Sequence, residues 1–478
     1  MTAQLDVVNP RTGAADYTIA PLSADQLADL ATRMRAAQPV WAARTAEERG
    51  EILGRFAQAI RQHREPLVAA LTADTGRAGI SRTEADTIPH LLARWAGSAP
   101  AIIARSAVTG FQTSHPTIDT DLRLVPYPLV GVISPWNFPL ILALIDAIPA
   151  LMAGCAVLVK PSEVTPRFIR PLMDALGEVP ELQDVLALVE GDGATGQALV
   201  PLVDYVAFTG SVPTGRKVGE AAARAFIPAS LELGGKDPFI VLASADPQAA
   251  ARTALRASVV NTGQACQSIE RIYVARAIAA PFIEALVEEA AKVQLNYPDI
   301  NRGDIGPFIF ARQAAIVQGH IDQAVAAGAR VLAGGTVETL GGGKYLRPTV
   351  IVDVTPDMAV MREESFGPVL PVVIFDTVDE AVAQANESEF GLSGAVYAGS
   401  LDEAEAVGRR LAVGGVSLND GSLTAIVWET EKSSFGLSGM GPSRMGDSGL
   451  LRFFRRQAII RQRGTPLPLA AYGEGNGA

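Results

Sequence analysis

Between residues 128 and 242, short and wholly apolar runs alternate with helical stretches, and this texture limits the fold more than any other feature. Val130-Gly131-Val132-Ile133 opens the series, and strand candidates follow at 156–159, 186–189, 204–208 and 239–242. A strand that is apolar on both sides must be covered on both faces, so the pattern predicts a parallel sheet sandwiched by helices. The alternation resumes from about 245 to 430, with strands expected at 271–274, 349–352, 369–375, 394–397 and 415–418. A chain of 478 residues also exceeds the size at which a single core stops growing, roughly 250–300 residues. The reading is α/β, with two sheet-based units in series.

Ahead of the first sheet, amphipathic spacing predicts helices over 23–37, 45–72 and 81–105. Ser23 and Thr45 are expected N-caps, and Glu48 three residues after Thr45 completes a capping box. Residues 107–128 turn to Thr, Ser, Pro and alternating apolar positions, which predicts extended strands, as in an edge hairpin. Further helices are expected over 139–152 and 247–260, and a loosely ordered Gly/Pro/Ala tail over 463–478.

Composition removes several function classes. A net charge of −11 with no basic block argues against nucleic acid or an anionic membrane as partner. Two cysteines, Cys155 and Cys266, cannot build a disulfide framework and fit a reducing compartment. The start of the chain carries neither a basic nor an apolar leader, so a cytoplasmic location is expected. Leu140 to Val159 approaches the roughly 20 apolar residues of a membrane span, but Asp146, Pro149 and Gly154 interrupt it, and it reads as a helix followed by a buried strand. No metal site is expected.

Cys155 lies in Met152-Ala153-Gly154-Cys155-Ala156-Val157, the surroundings of a packing cysteine. Cys266 differs. It follows Asn261-Thr262-Gly263-Gln264-Ala265 at the junction between a helical stretch and the strand at 271–274, where small neighbours leave a sulfur accessible. It is either a core residue or a nucleophile. None of the four histidines (63, 90, 115 and 320) adjoins these turns, so a carboxylate is the better candidate for a base. Glu232, between Leu231 and Leu233 and ahead of Gly234-Gly235-Lys236, is either that base or a solvent-facing strand residue.

The residues that decide between these readings are Pro135-Trp136-Asn137-Phe138-Pro139, Lys160-Pro161-Ser162-Glu163, Phe208-Thr209-Gly210-Ser211 with Gly215, Leu231 to Lys236, Gly263 to Cys266, and Glu363-Glu364-Ser365-Phe366-Gly367-Pro368. In this order, with 34 residues from Glu232 to Cys266, the chain resembles the aldehyde dehydrogenase superfamily over most of its length. The resemblance implies a Rossmann-like cofactor-binding domain (1–107 with 127–234) and an α/β catalytic domain (235–440). A small β extension (108–126 with 456–466) that makes a homodimer or homotetramer and a flexible tail (467–478) complete it. It also implies Cys266 as nucleophile, Asn137 as oxyanion donor and Glu232 as the base that releases the acid.

For the cofactor it implies Ile133, Ser134, Pro135, Trp136, Lys160, Glu163, Phe208, Gly210, Ser211, Leu233, Gly234, Glu364 and Phe366. Glu163 would accept bonds from both adenine-ribose hydroxyls, so NAD is expected as the preferred cofactor and NADP as a possible one. The turn from Gly210 to Gly215 opens a helix whose free N–H groups would face the pyrophosphate.

The chain departs from the family after Phe435-Gly436, where Leu437-Ser438-Gly439-Met440-Gly441-Pro442-Ser443-Arg444 replaces the usual glycine, lysine and Ser-Gly step. Phe138, Ile141, Leu142 and Ile145 fall on one helical face and are expected to wall the substrate channel, together with Gln267, Ser422 and Thr424. No Lys or Arg lies on that face, so an apolar or aromatic aldehyde is the first expectation and a carboxylate-bearing semialdehyde the second. Arg444 or Arg452 would reverse the order if either faced the channel. Two rivals remain: a CoA-acylating relative, which would dispense with Glu232, and a homologue that has lost activity.

Overall fold

The structure, a computed structural model, describes residues 4–474. Two large sheets organise it. The first has six strands in the spatial order Gly439–Met440, Ala229–Glu232, Tyr205–Thr209, Leu129–Ile133, Ala156–Lys160 and Leu186–Leu188. Five are parallel, and Gly439–Met440 joins antiparallel at one edge. Sequential strands spread outward from Leu129–Ile133 in one direction and then the other, so the order reverses between it and Tyr205–Thr209. A crevice opens at such a point, beyond the carboxyl ends of the strands.

The second sheet has seven strands: Arg330–Ala333, Thr349–Val352, Val369–Phe375, Ile269–Ala275, Asp237–Val241, Ser393–Tyr397 and Gly415–Leu418. All but Arg330–Ala333 run parallel. Side chains alternate between two cores, with Ile240, Tyr273, Ile351 and Val396 on one face and Phe239, Ile272, Val274 and Val350 on the other. This two-sided burial is the cause of the continuous apolar runs in the sequence.

The expected strands are all present within two residues at either end. Residues 107–128 form two antiparallel strands, Val108–Gln112 and Ile118–Pro126, and Phe454–Gln462 adds a third in unbroken register from Pro126 to Ile118. Both caps form boxes, Ser23 with Gln26 and Thr45 with Glu48.

Several expectations change. The helix expected over 45–72 is two, Ala46–Gln62 and Arg64–Thr75, with a break at His63 that lets Leu67 and Leu71 bury under the long helix Ala78–Ser106. The helix expected over 139–152 is also two, Pro139–Leu144 and Ala147–Ala153. Pro149 has no N–H to offer the Ile145 carbonyl and its ring crowds that group, so the chain breaks there. The hairpin Leu5–Val8 with Ala15–Ile19 had no expectation. After residue 440 the chain returns to the first core, where Leu450 and Phe453 are fully buried. Of the tail, 475–478 lie outside the described residues, and Leu469–Tyr472 is an exposed turn. Among the described residues no helix is long and apolar enough to cross a membrane.

Candidate active site

Between helix Pro247–Val259 and strand Ile269–Ala275 the chain makes a short 3-10 turn, Val260–Gly263, that carries Cys266 to the amino edge of the second sheet. Asn261, Thr262 and Gly263 all have positive φ (61°, 58° and 69°). Such a run persists only where surrounding bonds over-determine it. Asn261 Nδ2 donates to the carbonyls of Asn137 (3.1 Å) and Gln264 (2.9 Å), and Thr262 Oγ1 donates to the Gly306 carbonyl (3.0 Å). Gln264 Oε1 accepts from the Ile309 N–H at 2.9 Å. A Cβ on Gly263 would stand 2.3 Å from the Gly367 backbone, so only glycine fits.

Asn137 is buried beside this loop, its Nδ2 donating to the Gln264 carbonyl at 3.0 Å. A primary amide has two N–H groups, so one remains for a ligand. Behind it, Arg77 donates to the Asn137 carbonyl (3.0 Å), and Glu84 Oε2 accepts from the N–H groups of Leu140 (3.1 Å) and Ile141 (3.2 Å). Burial pushes Glu84 up to about 7 and Arg77 down to about 10. Sequence reading missed this pair, because nothing along the chain distinguishes them from surface charges of a long helix.

Cys266 is half-buried. Burial pushes its thiol up to about 12, helped by the charge of Glu364 and opposed by Arg444 and Lys432. A Cβ on Gly235 would lie 2.7 Å from the Cys266 carbonyl oxygen, so the segment that follows Glu232 runs directly against the cysteine. Glu232 closes its strand opposite Thr209, at the carboxyl edge of the first sheet. Its Oε2 accepts from Ser434 Oγ at 3.4 Å, and Arg444 Nε stands 3.7 Å from Oε1. The two sheets therefore meet edge to edge, with thiol and carboxylate at the seam. Cys155 is the other case: fully buried, with burial holding its thiol far above the usual range.

A crevice of about 890 Å³ opens at the strand-order reversal of the first sheet. Ile133, Ser134, Pro135, Trp136, Lys160, Glu163, Phe208, Gly210 and Ser211 line it, and so do Gln197, Lys217 and Arg224, which sequence reading did not name. Lys160 Nζ bonds the carbonyls of Gly191 (2.9 Å) and Asp192 (3.1 Å) and lies 3.4 Å from Glu163. Ser134 Oγ is buried without a hydrogen-bond partner, and no side chain caps helix Val212–Ala225 at Ser211. An unsatisfied hydroxyl, an uncapped helix start and a cation with an exposed carboxylate suit a ligand that carries phosphates and hydroxyls. The crevice fits a dinucleotide.

Leu233, Gly234, Glu364 and Phe366 lie between crevice and thiol rather than in the crevice. Leu233 packs on Gly215, and a Cβ on Gly234 would fall 2.3 Å from Glu364 Oε2. Glu364 Oε1 accepts from the Gly235 N–H (3.1 Å), and burial, followed by the charge of Glu270, pushes it up to about 8. Phe366 packs edge-on to Trp136 at 5.4 Å. A buried ion pair missed by sequence reading, Lys236 with Glu270 at 2.6 Å, sets this loop, since Glu270 also accepts the N–H groups of Ser365 (2.8 Å) and Phe366 (2.7 Å).

The expected channel wall is only partly assembled. Phe138, Ile141 and Leu142 are half-buried, but Ile145, which caps the helix, packs into the first core with 6 % exposure. Gln267 accepts from Thr424 Oγ1 at 2.9 Å, and Ser422 starts the adjoining turn, Leu423–Ala425. Lys432 Nζ reaches the Thr424 carbonyl at 3.2 Å. Arg444 and Arg452 do not face the channel freely, since both pair with the buried Asp146. One signal for this cluster was visible in the sequence: an aspartate inside an apolar run.

The family model for the aldehyde dehydrogenase family matches residues 1–459. A putative succinate-semialdehyde dehydrogenase [NADP(+)] of Mycolicibacterium smegmatis is 38 % identical over 95 % of this chain and 87 % of its own. Among solved structures, the putative aldehyde dehydrogenase PutA from Anabaena variabilis is 51 % identical with a TM-score of 0.95, over 98 % of this chain and 99 % of that one. Betaine aldehyde dehydrogenase from Staphylococcus aureus, in complex with NAD+, is 30 % identical with a TM-score of 0.90, over 97 % of this chain and 93 % of that one. Sequence order, sheet topology and the seam between the sheets lead to one assignment: the chain belongs to the aldehyde dehydrogenase family and catalyses the nicotinamide-dependent oxidation of an aldehyde.

Proposed function

We propose that oxidation proceeds through a thioester on Cys266 to the free carboxylic acid, with Asn137 and Glu232 as its partners. One observation carries this reading. The rigid loop that presents the thiol also accepts the Asn137 amide at the Gln264 carbonyl and abuts the backbone that follows Glu232. The Cys266 thiol gives its proton to solvent as its sulfur adds to the aldehyde carbon, and the resulting oxyanion accepts from the spare Asn137 N–H and the Cys266 backbone N–H. A bound nicotinamide supplies the hydride acceptor and, in its oxidised form, a positive charge near the thiol. Water then attacks the thioester carbonyl while Glu232 takes its proton. The C–S bond breaks, its electron pair returns to sulfur, and the acid leaves.

Glu232→Gln tests the assignment. It should keep a burst of NADH near one per site and then turn over slowly as acyl-enzyme accumulates. Wild-type turnover would remove Glu232 as base. Turnover that requires CoA and yields acyl-CoA would replace hydrolysis with acyl transfer.

For the cofactor, the carboxylate of Glu163 in the crevice supports NAD over NADP, since a 2′-phosphate would meet its charge. Glu163→Gln should then improve NADP relative to NAD, and an unchanged ratio would refute the role. For the substrate, the half-buried Phe138, Ile141 and Leu142 and the neutral Gln267–Thr424 pair support an apolar or aromatic aldehyde. Lys432 supports a second reading, a carboxylate-bearing aldehyde, to which the name of the mycobacterial relative also points. A panel of propanal, benzaldehyde and succinate semialdehyde separates the two. We assign 1–107 with 127–234 to the cofactor, 235–440 to catalysis, and 108–126 with 456–466 to a homodimer or homotetramer contact. The two unpaired cysteines fit a cytoplasmic setting.

A further inference from the structure

Asp146 sits in the break between helices Pro139–Leu144 and Ala147–Ala153, with its side chain 1 % exposed. Burial works to raise its pKa, but the Arg444 and Arg452 guanidiniums outweigh that and hold it below the usual carboxylate range. Arg452 pairs with one carboxylate oxygen. Arg444 takes the other at 3.0 Å and also donates to Thr209 Oγ1 at 2.6 Å. Both contacts use the same terminal nitrogen, which leaves Nε of Arg444 buried, without a hydrogen-bond partner and 3.7 Å from Glu232.

Glu232 is held far more loosely than the arginine. Its carboxylate has a 3.4 Å bond from Ser434 and that 3.7 Å charge contact, and its side chain is 20 % exposed. A fixed guanidinium beside a loosely held carboxylate is a post against which the carboxylate can be aimed. The cluster leaves three buried guanidinium nitrogens without a partner, Nε and Nη1 of Arg452 and Nε of Arg444, and that of Arg444 faces Glu232.

We propose that Arg444, locked by Asp146 and Thr209, is the positioning residue that sets the Glu232 carboxylate for attack of water on the thioester. The inference rests on Glu232 as base. It adds that the helix break after Asn137 ties the base to the segment carrying the oxyanion donor. Arg444 touches neither substrate nor cofactor in this scheme, so the oxidative half-reaction does not need it.

The test uses Arg444→Met, Arg444→Lys, Glu232→Gln and the double variant Arg444→Met/Glu232→Gln, with NAD and the fastest of propanal, benzaldehyde and succinate semialdehyde. Arg444→Met should keep the NADH burst and lose about tenfold or more in steady-state rate, while Arg444→Lys recovers most of it. The double variant should be no slower than Glu232→Gln, because both act on one step. If Arg444→Met slows burst and turnover alike, or multiplies the Glu232→Gln defect, the role is structural and the proposal is overturned. If Arg444→Met turns over like wild type while Glu232→Gln is slow, this inference fails and the base assignment stands. If Glu232→Gln itself turns over normally, the base assignment fails and this inference falls with it. Where the methionine variant does not fold, Asp146→Asn keeps the shape of the cluster and must show the same split; equal loss of both phases would overturn the proposal.

Discussion

At the scale of single residues, the two cysteines show how little a side chain says without its surroundings. Cys155 has apolar neighbours along the chain and in space, whereas Cys266 has small polar neighbours in sequence and a seam between two sheets in space. Because burial pushes the Cys266 thiol up to about 12, the thiolate forms only at high pH in the cofactor-free protein. Its alkylation by iodoacetamide, followed by peptide mass spectrometry, should therefore keep rising past pH 9, with Cys155 unmodified throughout. A plateau below pH 8 would refute this. Glu364 is held at about 8, above its unfolded value, so the folded state binds its proton more tightly. That stability is full below the unfolded value and is lost as pH rises through about 8. Glu364→Gln should accordingly raise the Tm of the cofactor-free protein, by more at pH 8 than at pH 5. A gain that shrinks with rising pH would contradict it.

At the scale of elements, strands were legible and helix interruptions were not. A strand between two cores is apolar at every position, and that leaves an unmistakable run such as Val369–Phe375. The break before Pro149 carries Asp146 to Arg444 and Arg452, and the break at His63 leaves its ring beside Glu178, partners far along the chain. The caps were readable because their bonds are local. Thr45→Ala removes one such bond and should cost about 1 kcal/mol in chemical denaturation. Gly263 lies in the turn before Cys266, and its neighbour is not local. Gly263→Ala forces a Cβ against Gly367 at positive φ, and should cost about 1–3 kcal/mol. It should also lower the NADH burst, because the loop cannot shift without moving Cys266. An unaltered burst would show that the loop tolerates the shift.

At the scale of the whole molecule, the three-stranded sheet leaves the first core at Phe454 and extends away from it. Val108–Gln112 is exposed along its length, and Ile460 and Phe111 are 69 % and 59 % exposed. Exposed apolar strands are a liability unless another chain covers them. If this sheet makes the proposed contact between copies, deleting 456–466 should reduce the particle to the mass of one chain in sedimentation, and an unchanged assembly would refute that contact. The alternation of apolar runs with helices determined the α/β class and the strands, and ordered motifs singled out Cys266, Glu232 and Asn137, because those signals are written in neighbouring residues. Only the tertiary structure decided that Ile145 is core, that Arg444 pairs with Asp146 beside Glu232, and that Arg77 bonds the Asn137 carbonyl. Those outcomes depend on which charges end up buried together, and burial is a property of the packed chain that no local stretch of sequence carries.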